Sequence, residues 1–159
     1  MTLTEYKDIA TLISVIIGAC SLLAAAITMT ITVKTNRAKF WLELRSAFAK
    51  HDDVHKKLRN GGIWAMNKGP NNTDEYFLIE AYMGLFEHCE IMLSQNLIDE
   101  KTFHEIYYYR VLNLLNNNWV RVVKLQKNAA GWERFLALVI RMEKVEKEKL
   151  AFRSKGSAA

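Results

Sequence analysis

The stretch "KHDDVHKK" sets His51 and His55 four residues apart, with Asp52 beside the first. On a helix that spacing brings two imidazoles to one face, as a divalent metal requires of ligands on neighbouring turns. No third ligand follows at a recognised spacing, so the pair reads as an exposed helix end and no metal is expected. His88 stands in "FEHCE" between Glu87 and Glu90. On a buried helix one of these acids should meet a base elsewhere, and Arg110 in "YYYRVL" is the expected partner of Glu87. Such a pair would be structural, since removing one partner strands a charge at low dielectric and costs roughly 3–5 kcal/mol. His104 in "TFHEIY" reads as a surface or half-buried side chain. The chain carries no Gly-rich phosphate loop, zinc-type Cys/His array or nucleophile elbow, so neither an enzyme nor a cofactor is expected.

One further pattern bears on catalysis. Arg45 and His51, in "RSAFAKH", are similar to the loose arginine–x4–6–histidine motif of HEPN ribonucleases, helical proteins that act as dimers with both motifs facing one phosphodiester. The similarity implies that Arg45 would hold the phosphate and His51 would exchange the proton, with Ser46 as the polar neighbour of the arginine. Six residues along a straight helix turn through about 600°, which leaves the two side chains about 240° apart. They converge only if the helix ends between them.

The elements that must position these groups begin with an uncharged segment. From Ile9 to Val33 there are 25 residues without Asp, Glu, Lys, Arg or Pro. At a rise of ~1.5 Å per residue, about 20 suffice to cross a bilayer. A signal peptide would start basic and carry a shorter apolar core, whereas "MTLTEYKD" sets Glu5 and Asp8 against Lys7. Residues 9–33 therefore read as a retained transmembrane helix, with residues 1–8 outside. Lys34, Arg37 and Lys39 follow the span with no acid before Glu43. Basic flanks stay cytoplasmic and meet anionic lipid headgroups, so these three are the expected membrane-surface anchors. Cys20 and Cys89 sit in different compartments on this reading and should not pair.

Within the span, Thr11, Ser14, Gly18, Ser21, Ala25, Thr28 and Thr32 alternate steps of three and four, a heptad seam on one helical face. Every member is small or carries a hydroxyl. Lipid gives helices no hydrophobic reason to associate, so close backbone approach and interhelical hydrogen bonds must drive association, and small residues allow both. The seam is expected to hold a homo-oligomer; in a ring of copies it could instead line a lumen.

Residues 34–153 read as one helical-bundle cytoplasmic domain, and "SKGSAA" at 154–159 as an appended tail. Removing Lys7, Glu5 and Asp8 from the totals of 22 basic and 17 acidic residues leaves 21 and 15 beyond the span, a net of +6. The charges are dispersed, so nucleic acid is not demanded as a partner. "FWLELRSAFAKHDDVHKKLRNGG" places Trp41, Leu44, Phe48, His55 and Leu58 near one face and stops at Asn60-Gly61-Gly62. Nothing between Val33 and Phe40 breaks a helix, which predicts one rod from the span into the domain. A helix capped by Thr73 or Asp74 follows, with Phe77, Ala81, Met83, Leu85, Phe86, Ile91 and Met92 expected inside. Asp99 should cap the next, a shorter helix should cover Trp119–Leu125, and "AAGWERFLALVIRMEKVEKEKLAF" should close an all-α fold.

Two stretches, "NRAKFWLELRSAF" and "YMGLFEHCEIMLSQNLIDEKTFHEIYYYRVLNLLNN", resemble a bacterial family of uncharacterised membrane proteins with one N-terminal span and a small helical cytoplasmic domain. More distantly the chain resembles the single-span accessory proteins encoded beside RNA-targeting CRISPR effectors, which carry a degenerate HEPN-like domain and assemble into ring-shaped membrane pores. The likeness covers roughly residues 1–125 through general pattern. It implies an oligomeric bacterial inner-membrane protein linked to antiviral defence, depolarising the membrane through a pore. The alternative is a membrane-anchored module that recruits a cytoplasmic protein without conducting, and the third reading is the HEPN-like ribonuclease.

Overall fold

The computed structural model describes residues 3–65, 69–70 and 72–156, with side chains from Ile17 to Ser154 within those ranges. No strand occurs among them. Helix α1 is Leu3–Ala49, 47 residues without interruption, so the helix predicted to run on past Val33 does so. Its part Ile17–Ala49 is long and apolar enough to cross a bilayer, and none of its most apolar window is buried. The chain divides into two compact units, Met1–Leu44 and Arg45–Ala159.

The second unit is a helical bundle of α2 (Asp52–Leu58), α3 (Thr73–Ser94), α4 (Glu100–Asn116) and α5 (Glu133–Gly156), with a π-helical turn at Val120–Gln126 and a 3₁₀ turn at Ala129–Trp132. Helix α5 packs on both α3 and α4, while α2 meets α3 and α4. Each long helix contributes a stripe at steps of three and four. These are Ile79, Tyr82, Met83, Phe86, Cys89 and Leu93 from α3, Phe103, Tyr107, Val111 and Leu114 from α4, and Phe135, Leu138 and Met142 from α5, all buried. Phe48, in the last turn of α1, stacks on Tyr107 at 4.1 Å between ring centroids and meets Phe86 at 5.0 Å.

Several expectations need correction. Phe77 is 58 % exposed and Ala81 is also exposed, because each lies about 200° round α3 from Ile79 on the opposite face. The cap of α3 is Asn72, whose side chain accepts from Glu75 N at 2.9 Å, not Thr73 or Asp74. Asp99 caps α4 as predicted, accepting from Thr102 N at 2.7 Å. Helix α3 ends in a Schellman motif: Leu97 N donates to Met92 O, Asn96 N donates to Leu93 O, and Asn96 takes φ +56°. Helix α5 carries on through Gly156, so the segment expected as a tail begins inside the helix.

The turn after α2 is tightly specified. Gly61 has φ +82°, which a side chain would strain. A Cβ at Gly62 would collide with the carbonyl oxygens of Lys56 and Lys57, so only glycine can close against the end of α2. The segment expected as a short α-helix is instead the π turn, and it buries Lys124 almost completely. The ammonium of Lys124 lies 2.7 Å from Glu80 Oε1 and 3.1 Å from the Tyr76 ring centroid, with the Trp119 ring at 5.8 Å. A buried amine persists only when its charge is paired and its hydrogens are placed, and here carboxylate and aromatic faces do both.

Candidate functional site

Five members of the α1 seam, Gly18, Ser21, Ala25, Thr28 and Thr32, are described and exposed. Thr11 and Ser14 lie outside the described side chains. The hydroxyls turn back on their own helix: Ser21 Oγ donates to Ile17 O at 2.8 Å, and Thr28 and Thr32 donate to Ala24 O and Thr28 O at 2.9 Å. Off the seam, Thr30 does the same to Ala26 O. Each hydroxyl proton is therefore satisfied before any partner arrives, and only acceptor lone pairs face outward. Gly18 presents open space, since a Cβ there would meet nothing within 4 Å. What the face offers another helix is close approach. The anchors Lys34, Arg37 and Lys39 are exposed; Lys39 meets Glu43 at 3.8 Å, a surface pair of little energetic weight.

The histidine and arginine groups gather in the helical unit, with other partners than the sequence suggested. Helix α1 ends at Ala49, between Arg45 and His51. Even so, no hydrogen bond or ion pair joins the two. Arg45 is exposed and its charge acts on Tyr107, whereas His51 is half-buried with its ring 5.6 Å from that of Tyr82. His55, expected at an exposed helix end, is 8 % exposed, and its Nδ1 lies 3.2 Å from Tyr82 Oη. Burial holds the pKa of both histidines below the usual value, helped by Lys50 at His51 and by Arg110 at His55. Burial also pushes the Tyr82 phenol up. At neutral pH this is an uncharged imidazole–phenol cluster.

The expected Glu87–Arg110 pair is not formed. Arg110 Nη2 donates to Asp52 Oδ1 at 2.6 Å and its Nε to Tyr109 Oη at 2.9 Å. The reason is packing: α3 lies chiefly against α5, while α4 meets α2, so the acid within reach of Arg110 is at the start of α2. The hydrogen bond from Arg110 in turn holds the Asp52 carboxyl below its usual range. The acid of "FEHCE" that does find a base is Glu90, buried and clasped by Arg141 through Nε–Oε2 at 3.0 Å and Nη2–Oε1 at 2.8 Å.

His104 is buried, not half-exposed. Its Nε2 lies 3.1 Å from Glu146 Oε2, too poorly aligned for a hydrogen bond, and its ring stacks on Tyr108 at 4.4 Å. Burial lowers its pKa while Glu146 opposes that shift. The steps of three and four from His104 to Tyr107 and Val111 carried a signal for this burial. Asn117, which the sequence reading passed over, ties two segments together. Its Nδ2 donates to Leu58 O at 3.2 Å and Trp64 O at 2.9 Å, and its Oδ1 accepts from Val120 N at 3.0 Å.

Among the described residues no three His, Cys, Asp or Glu side chains converge as a metal site. The arrangement supplies an exposed helix face of small and hydroxyl residues and a helical unit whose buried ions, Glu90 and Lys124, are paired. No protein-family model matches the chain, and no curated protein or solved structure matches it either.

Proposed function

We propose that the chain is a single-span bacterial inner-membrane protein that self-associates through the seam of α1 and keeps its helical domain in the cytoplasm. The observation that carries this reading is the exposed, uncharged face of Gly18, Ser21, Ala25, Thr28 and Thr32, whose three hydroxyls are already bonded within the helix. A lone span gains nothing from small residues, which surrender contact with lipid chains; a helix pair gains close approach. The basic residues Lys34, Arg37 and Lys39 support the orientation. A ring of such helices would present outward-facing hydroxyl oxygens to its lumen, and this makes a depolarising pore in antiviral defence the sharper form of the proposal. The non-conducting recruitment module is favoured by apolar side chains left on the domain surface, Phe77 at 58 % and Ile140 at 69 % exposed.

Sizing of the detergent-solubilised full chain tests self-association. Wild type should run as an oligomer, and Gly18→Leu or Ser21→Leu as a monomer. The open space around Gly18 means that leucine there disturbs only a partner. Ser21→Ala should leave the assembly intact, because the hydroxyl proton serves its own helix, and Leu23→Ile should do the same. A monomeric wild type, or leucine variants that still assemble, would refute the seam. Ion flux through reconstituted vesicles then separates pore from module.

A further inference from the structure

Between the end of α4 and the turn after α2 lies a cavity of about 360 Å³, lined by Asn60, Asn113, Asn116, Asn117 and Asn118 with Leu58 and Ala65. Among the described residues no charged side chain lines it. Asn113 and Asn116 stand three apart in the last turns of α4 and so share a face, opposite Asn60 in the turn that Gly61 and Gly62 fix. Asn117 is the floor, 3 % exposed and held by its three hydrogen bonds to Leu58, Trp64 and Val120. Asn60, Asn113 and Asn116 make no side-chain hydrogen bond to any described residue, so their carboxamides are available at the cavity wall. Asn118 accepts from Arg121 Nη2 at 2.7 Å, which holds a guanidinium beside the rim.

Asparagine is a poor helix former, yet four stand in the run 113–118 and join Asn60 in lining the cavity. A carboxamide offers one donor edge and one acceptor edge in a single plane, and it pairs bidentately with the N6–N7 edge of adenine. A cavity whose described lining is mostly carboxamide offers a planar ligand both donors and acceptors. Leu58 and Ala65 give the ring apolar contact, and the volume falls in the range of small-molecule sites, about 300–1,000 Å³. We propose that this cleft binds the adenine group of a nucleoside or nucleotide, with Asn113 and Asn116 reading the base and Arg121 meeting an attached phosphate. The proposal is independent of whether α1 self-associates.

Calorimetric titration of the detergent-solubilised full chain with adenosine, AMP and uridine tests it. Adenosine and AMP should bind, with uridine at least about tenfold weaker. Asn113→Leu and Asn116→Leu should each weaken adenosine by about tenfold or more, in proteins whose melting temperature stays at the wild-type value. Arg121→Gln should weaken AMP and leave adenosine unchanged. Absence of adenosine binding at millimolar concentration would overturn the assignment. So would equal affinity for uridine, or adenosine binding that survives the Asn113→Leu/Asn116→Leu double substitution.

Discussion

The clasp between Glu90 and Arg141 joins two groups of unequal burial, and that inequality sets which substitution does more harm. The Glu90 side chain is 8 % exposed and that of Arg141 30 %. Glu90→Gln leaves an arginine that can swing toward water or toward Glu100, already 3.9 Å away. A neutral amide keeps one acceptor for it, so the loss is one charge-assisted hydrogen bond, about 1.5 kcal/mol. Arg141→Met leaves the Glu90 carboxylate buried without its cation, toward the lower end of the 3–5 kcal/mol range for a broken buried pair, about 3 kcal/mol, because the arginine is partly solvated. For a unit of this size, 1 kcal/mol corresponds to a shift of roughly 3–5 °C in melting temperature. Melting the full chain in detergent, followed by near-ultraviolet circular dichroism of the tryptophans, should therefore show Arg141→Met falling about twice as far as Glu90→Gln. Arg141→Met/Glu90→Gln should recover part of the loss, since the stranded charge is gone. A Glu90→Gln variant as damaged as Arg141→Met, or a double variant worse than both, would refute the reasoning.

Two other expectations follow from the polar groups of the helical unit. Asp52→Asn should lower the melting temperature by a few degrees through the loss of the carboxylate that pairs with Arg110, while Glu87→Gln, which pairs with no described residue, should leave it unchanged. The pKa values of His51, His55 and His104 are all lowered in the folded chain, so the unfolded chain binds more protons just below the usual histidine value. Stability should be full above about pH 7 and fall as the pH drops below about 6.5, the usual histidine value. Melting curves across that window should show a smaller decline in His55→Asn than in wild type.

The sequence made the helices legible because their apolar residues recur at three and four, and the break at Asn60-Gly61-Gly62 because glycine alone fits there. It could not give pairings between helices. Arg110 could be seen to need an acid, but choosing Asp52 over Glu87 requires knowing that α4 faces α2. His55 was read as an exposed helix end for want of a third metal ligand, while its spacing also set it on one face with Phe48 and Leu58; the burial follows the spacing. The π turn was invisible because its sequence, "VRVVKLQ", differs little from an α-helical one. The positions of the small and hydroxyl residues of α1 were readable, but the bonding of Ser21, Thr28 and Thr32 to their own helix was not.

The π turn has a consequence for how this chain tolerates changes of length. A π segment holds about one more residue in its ring than an α-helix does, so deleting a single residue between Val120 and Lys124 need not break the helix; it would let the segment relax to ordinary α geometry. Because the segment already holds one extra residue, its loss would leave the side chains after it at nearly the phase they have now, and the amine of Lys124 would stay within reach of Tyr76 and Glu80. A one-residue deletion in this turn should therefore be milder than one inside α4 or α5, where every later side chain would turn by about 100° against those before it.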